Sequence, residues 1–225
     1  YQTEQTQSES MQNILGASVQ LDLPGAKGRR LTLAPWLSVS QTTIEDPLGE
    51  FAGRLGTTED HSLLHGYRLS LCYPVDIVDA PGLRLSPLGT AVYRHESFIG
   101  RDILTSGTER SVHTRHRVAA IGQLTLSYTP VGLAFILSGR YEGAVDHSNA
   151  EGTQGTHIGS FRAGLAYRPL DPLLLRVNVA RGTRFPTLFE RFGDSAYVLG
   201  RASLLPERGT TLDLGLRVDW PELRA

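Results

Sequence analysis

Seven histidines are the side chains best suited to chemistry in this sequence: His61, His65, His95, His113, His116, His147 and His157. Imidazole is the commonest protein metal ligand and titrates near neutral pH. Here, however, the closest pairs, His61/His65 and His113/His116, lack the tight spacing of a metal site on one strand, so no metal or haem site is assigned. Cys72 stands alone, which excludes a disulfide framework and a cysteine-based metal centre. The sequence contains no phosphate-binding loop, no Gly-x-Ser-x-Gly, no His-Glu-x-x-His and no EF-hand loop. Asp46, Glu50, Glu59, Asp60 and His61 share one loop but have no partner that favours a catalytic reading over a solvated one. Catalysis is not expected, and neither is a bound cofactor.

Charge narrows the choices further. The formal net charge is -1, so no basic field is present to draw nucleic acid. Lys27 is the single lysine against 21 arginines. Arginine's planar fork holds several hydrogen bonds at once and suits confined ion pairs better than lysine does. The longest apolar run lies near Val131–Leu137, far short of the ~20 residues of a membrane helix. A β-barrel is not excluded, because its strands alternate apolar and polar residues and look soluble by mean hydropathy. Tyr1–Asn13 is polar and does not resemble a signal peptide, so a mature or cut product is expected.

The elements that would position these residues are strands. Leu124, Leu126 and Tyr128 alternate with Gln123, Thr125 and Ser127. Leu133, Phe135 and Leu137 alternate with Ala134 and Ser138, and Leu212, Leu214, Leu216 and Val218 with Asp213, Gly215 and Arg217. A period of two gives each strand one apolar and one polar face. About nine strands are predicted, at 14–23, 30–40, 63–73, 83–95, 114–128, 132–142, 158–168, 173–182 and 209–220. Their connections alternate strictly between short (Pro24–Arg29, Pro74–Gly82, Pro130–Val131, Pro169–Pro172) and long (41–62, 96–113, 143–157, 183–208), with 1–13 as a further long loop. Outer-membrane barrels sort their turns and loops in this way. Strands running toward the short side end in a large apolar residue close before proline: Leu23, Tyr73, Tyr128, Tyr167 and Trp220. Tyrosine and tryptophan favour the membrane interface. The histidines are expected in the long loops or at the strand ends beside them.

One stretch carries a family resemblance. Arg168-Pro169-Leu170-Asp171 leads to Leu175–Gly182, then to Arg184-Phe185-Pro186-Thr187-Leu188-Phe189-Glu190. Gly200, Leu204-Leu205-Pro206-Glu207 and Leu212-Asp213-Leu214-Gly215-Leu216 follow. In order and spacing, Tyr167–Trp220 resembles the C-terminal half of TonB-dependent receptor barrels. Arg201-Ala202-Ser203 replaces the family's usual Asn-Pro-Asp, and Asp213 stands where glutamate is more usual.

The resemblance implies an all-β fold: an antiparallel transmembrane barrel segment, a meander of about nine strands from a barrel of about 22. Residues 1–225 would be one partial barrel domain, open at both edges, without a plug or a signal peptide. It also implies an outer-membrane receptor that imports a scarce ligand such as a metal chelate or cobalamin. The partners would be lipid, the receptor's own plug, TonB acting through that plug, and a small ligand. Asp213, Arg217, Arg181 and Arg162 are expected to face the lumen and meet the plug. Arg184, Glu190, Arg191, Arg201 and Glu207 in the motif loop would either touch ligand or brace the loop. A passive pore or adhesin barrel, and a soluble β-sheet binding module, are the competing expectations.

Overall fold

The computed structural model describes residues 7–25, 29–46, 56–73, 75–76, 80–102, 110–148, 152–193 and 200–219. These form one 11-stranded antiparallel sheet. The strands are β1 (Gln7–Gly16), β2 (Val19–Asp22), β3 (Arg30–Asp46), β4 (Gly56–Cys72), β5 (Val75–Asp76), β6 (Leu83–Asp102), β7 (Arg110–Tyr128), β8 (Leu133–Ser148), β9 (Gly152–Leu170), β10 (Leu173–Arg184) and β11 (Glu207–Val218). The order is β1-β3-β4-β6-β7-β8-β9-β10-β11, with β2 beside β3 and β5 beside β6. This is an open meander, as expected of part of a barrel.

The register explains where strand lengths depart from the sequence reading. The β3–β4 ladder runs without a shift from Arg30↔Cys72 to Asp46↔Gly56. Most of the expected loops 41–62, 96–113 and 143–157 are therefore strand: β6 and β7 reach Asp102 and Arg110, and β8 and β9 reach Ser148 and Gly152. The polar segment read as loop 1–13 contains β1, which pairs with β3 from Gln7↔Glu45 to Gly16↔Trp36. The predicted strand 14–23 is broken after Gly16 and resumes as β2. The extensions share one cause. Backbone pairing does not need an apolar face, so ladders continue past the depth at which alternation stops. The seven histidines consequently lie on strands rather than in loops: His61 and His65 on β4, His95 on β6, His113 and His116 on β7, His147 on β8 and His157 on β9. The expected Trp220–Pro221 ending lies outside the described residues.

The short turns follow their sequences more closely. After β7, Thr129–Val131 forms one 3-10 turn with proline in its first positions, and Gly132 follows at φ 63°. A side chain at Gly132 would stand 2.6 Å from the Arg168 carbonyl oxygen, so both conformation and space require glycine.

The two faces of the sheet differ. Leu63, His65, Tyr67 and Leu69 of β4 share a face with Tyr93 and His95 of β6 and His116, Val118 and Leu124 of β7. Leu137 and Tyr141 of β8 and Phe161 and Leu165 of β9 continue it. Even on interior strands this apolar face is open, with Tyr67 54 %, Val118 62 % and Tyr141 60 % exposed. A soluble sandwich would bury these residues against a second sheet, whereas lipid is the solvent that suits them. The opposite, polar face holds most of what is buried: His113, Arg115, Ala119, Glu142, Ala144, Asp146 and Ile158.

Candidate functional site

Among the described residues, the packed region is made where Phe185–Phe192, after β10, folds onto the polar face. Thr187 caps a short helix, α1 (Leu188–Phe192). Its hydroxyl accepts from the Glu190 backbone N–H at 3.1 Å, and the Glu190 carboxylate accepts from the Thr187 N–H at 2.7 Å. This reciprocal pair satisfies two of the donors that a helix start leaves open. The run Thr187-Leu188-Phe189-Glu190 encodes it directly.

Phe185 and Leu188 supply the apolar anchor. Phe185 packs with Ala144 of β8 and Ile158 of β9, and Leu188 is 1 % exposed. The Arg115 and Arg117 guanidiniums lie 5.8 and 5.7 Å from the Phe185 ring centroid. The Phe192 ring stacks on His113 at 4.0 Å with an interplanar angle of 2°, and Phe189 meets Phe98 edge-on at 6.1 Å. Burial beneath this helix holds the His113 imidazole below its ordinary pKa.

Asp146 of β8 is the polar centre. Arg115 donates Nε to Oδ1 at 2.5 Å and Nη2 to Oδ2 at 2.7 Å. Its remaining Nη1 donates to the Pro186 carbonyl at 2.5 Å, tying the barrel strand to the loop backbone. From the other side Arg191 of α1 donates to the same carboxylate, to Gln154 on β9 and to the Ala202 carbonyl. All three ionic side chains are at most 6 % exposed. Such charges stay buried only because nearly every donor has an acceptor. Sequence reading placed Arg191 but missed Asp146 and Arg115, since both lay in segments taken for loop or strand end.

Arg184 ends β10 with a second, exposed fork. It donates to Glu207 at 3.1 and 2.9 Å and to Glu190 at 3.2 and 3.0 Å. These bonds raise the Arg184 pKa, Glu207 first and Glu190 second. The Glu190 carboxyl is held below its usual range by Arg184, then by the Thr187 N–H. Arg201 donates to Ser203 at 3.3 Å. Of the five motif-loop candidates, Glu190 and Glu207 both bind Arg184, and Arg191 is buried.

The lumen candidates divide. Asp213 stands opposite Asn178, Arg217 opposite Leu174 and Arg162 opposite Ala180, all on the polar face. Arg181 does not belong with them. It pairs with Phe161 and Thr210, on the apolar face, because it is odd-numbered like Val177 and Val179 on the same strand. Further along the polar face, Arg94 and Arg117 sit directly opposite each other, with the Arg94 guanidinium 5.4 Å from the Trp36 ring. Gly66 makes room for that indole, since a Cβ there would lie 2.8 Å from Trp36.

On the apolar face four histidines form a row. Ring centroids are 4.9 Å apart for His65–His95, 4.5 Å for His95–His116 and 6.2 Å for His116–His147. Among the described residues, no three His, Cys, Asp or Glu side chains group as metal ligands.

Comparison with known proteins agrees with this architecture. No curated protein matches the chain. It is similar in structure to the copper transporter OprC (15 % identity, TM-score 0.70, covering 93 % of this chain and 36 % of that one). It is also similar to the ferric citrate transporter FecA (11 %, 0.71, 94 % and 32 %). A third neighbour is the Serratia marcescens hemophore receptor HasR, solved with its hemophore HasA and heme (13 %, 0.74, 96 % and 37 %). The chain thus spans about a third of each. Residues 16–225 match the family described as TonB dependent receptor-like, beta-barrel. With its open meander, its uncovered apolar face and the Phe185–Phe192 motif segment packed on its polar face, the chain belongs to the β-barrel of the TonB-dependent receptors.

Proposed function

We propose that this chain is part of the wall of an outer-membrane importer that captures a scarce ligand, of the metal-chelate, haem or cobalamin class, and admits it with energy delivered by TonB through a plug. The family match over residues 16–225 carries this reading. The similar structures support it, being a copper transporter, a ferric citrate transporter and a hemophore receptor. The two faces support it as well. The apolar face suits lipid, and the polar face presents Arg162, Asp213, Arg217 and the Arg94–Arg117 pair to whatever fills the barrel. Charges facing a lumen cost little, whereas an arginine facing lipid at mid-depth costs roughly 2–4 kcal/mol.

The latch at Asp146 gives the motif loop a defined part. It fixes α1 over the polar face at the long-loop ends of β7, β8 and β9, so that the wall keeps its shape while a plug moves beside it. Within this loop the motif residues brace rather than touch ligand.

The test is uptake by the full-length receptor in an outer-membrane host under iron limitation. The probes are a panel of ferric siderophores, haem and cobalamin, each supplied with and without TonB. The reading requires at least one probe whose uptake needs both receptor and TonB. Receptor-dependent uptake that persists without TonB would reject it in favour of a passive pore.

A further inference from the structure

The row of histidines on the apolar face is not used by the latch, by the lumen or by any motif. It lies at a defined height. On the short-turn side the apolar face ends at Tyr73, Tyr128 and Tyr167, and its other aromatic rank is Tyr67, Tyr93 and Tyr141. The Tyr67 and Tyr93 rings are 6.5 Å apart and nearly parallel. His65 and His95 stand one position farther along that face of β4 and β6, with His116 next in register. The row thus stands on the long-loop side of that aromatic rank, with Leu63 one position beyond His65 and Val145 opposite His116 on the same face, and the His95–His116 contact is exposed.

We propose that His95 and His116, with Tyr93 beside them, form a binding site for a divalent transition-metal ion on the outer, lipid-side surface of the barrel. His95 Nδ1 and His116 Nδ1 are 3.3 Å apart. Two imidazole nitrogens at about 2.0–2.1 Å from a tetrahedral zinc are separated by about 3.3–3.4 Å, so the pair already has the bite of two ligands. Tyr93 Oη lies 3.0 Å from the same His116 nitrogen, which brings a third donor to that point. Water completes the shell, since the side is open. Imidazole ligands select zinc, copper or nickel over magnesium or calcium. Each donor is held by the ladder rather than by a loop: Tyr93 and His95 alternate on β6, and His116 faces His95 across β7.

His65 and His147 flank the pair and form its outer wall. A bound ion would bridge β6 to β7 on the apolar face, outside the path of any transported ligand.

The experiment uses the full-length receptor in detergent, stripped of metal and titrated with Co2+ by visible absorption, followed by Zn2+ competition. The expected result is one saturable, Zn2+-displaceable Co2+ with nitrogen-ligand bands. His95→Ala and His116→Ala should each weaken it at least tenfold. His157→Ala, on the same face against Tyr141 at 5.8 Å, should leave it unchanged. Heat-modifiable migration on gels verifies that each variant is folded, and His95→Gln retains a polar group there should the alanine variant fail. No saturable Co2+ in the parent protein, or equal binding in the His95/His116 double variant, would overturn the proposal. Neither outcome depends on transport, so failure of the importer reading would leave this result standing.

Discussion

Arg115 and Asp146 face each other on β7 and β8, equidistant from the turn that joins those strands, and meet in a two-point ion pair of 2.5 and 2.7 Å. Arg191 closes on the same carboxylate from the loop. This one acidic side chain therefore joins the barrel wall to the family's motif segment. Its consequences are specific.

Asp146→Ala leaves two buried guanidiniums without their anion. Removing one partner of a buried pair costs about 3–5 kcal/mol. The loss should appear as a lower thermal midpoint of the refolded barrel in detergent, and as new protease cleavage between β10 and β11. Asp146→Asn should lie between parent and alanine, because the amide still accepts one hydrogen bond. An unchanged midpoint in Asp146→Ala would show that the latch bears no load.

Arg115→Lys tests the geometry rather than the charge. Lysine keeps the positive charge but cannot reach both carboxylate oxygens and the Pro186 carbonyl with a planar fork. It should open the motif loop to amide exchange while leaving the β7–β8 ladder protected. Equal exchange in both proteins would reduce the Pro186 contact to a bystander.

Glu190 links the loop to pH. Its folded pKa is depressed, by Arg184 first and the Thr187 N–H second. A depressed carboxyl contributes stability that is fully present above its unfolded value of about 4.3 and is lost as pH falls through the folded value. Protection of α1 should thus be constant from neutral pH to about pH 5 and decline below about 4.3. In Glu190→Gln that decline should vanish from the loop's exchange profile.

Asp213 lies on the polar face opposite Asn178. If it meets the plug, Asp213→Leu in the full-length receptor should raise plug proteolysis while heat-modifiable migration of the barrel stays the same. A plug as protected as in the parent would remove Asp213 from that interface.

How much of this was legible in the sequence depends on the signal each feature left. Alternation at Leu124–Tyr128 and Leu212–Val218 marked strands because lipid demands apolar side chains there. Gln7–Asn13 and Thr42–Asp46 are also strand, but beyond the apolar band nothing selects for hydrophobicity, so polar composition looked like loop. The capping box at Thr187–Glu190 was written locally and could be read locally. Asp146 could not, because its partners are far away in sequence. Once the turn at Pro130–Val131 is placed, however, continuing the β7–β8 register brings Arg115 opposite Asp146. The same extension pairs His95 with His116. The missing ingredient was strand length, not residue chemistry. Arg181 was misassigned for a related reason: one position of parity separates the two faces, and only the register with Phe161 fixes it.

The central claim is that one face of this sheet meets lipid and the other the barrel interior. Leu137 and Ser138 are neighbours on β8 that point to opposite faces and pair with Ala163 and Arg162 of β9. Arginine should be placed at each in turn and the refolding free energy measured in lipid vesicles. Leu137→Arg should cost about 2–4 kcal/mol and Ser138→Arg much less. Equal costs at the two positions, or a larger one at Ser138, would contradict the account.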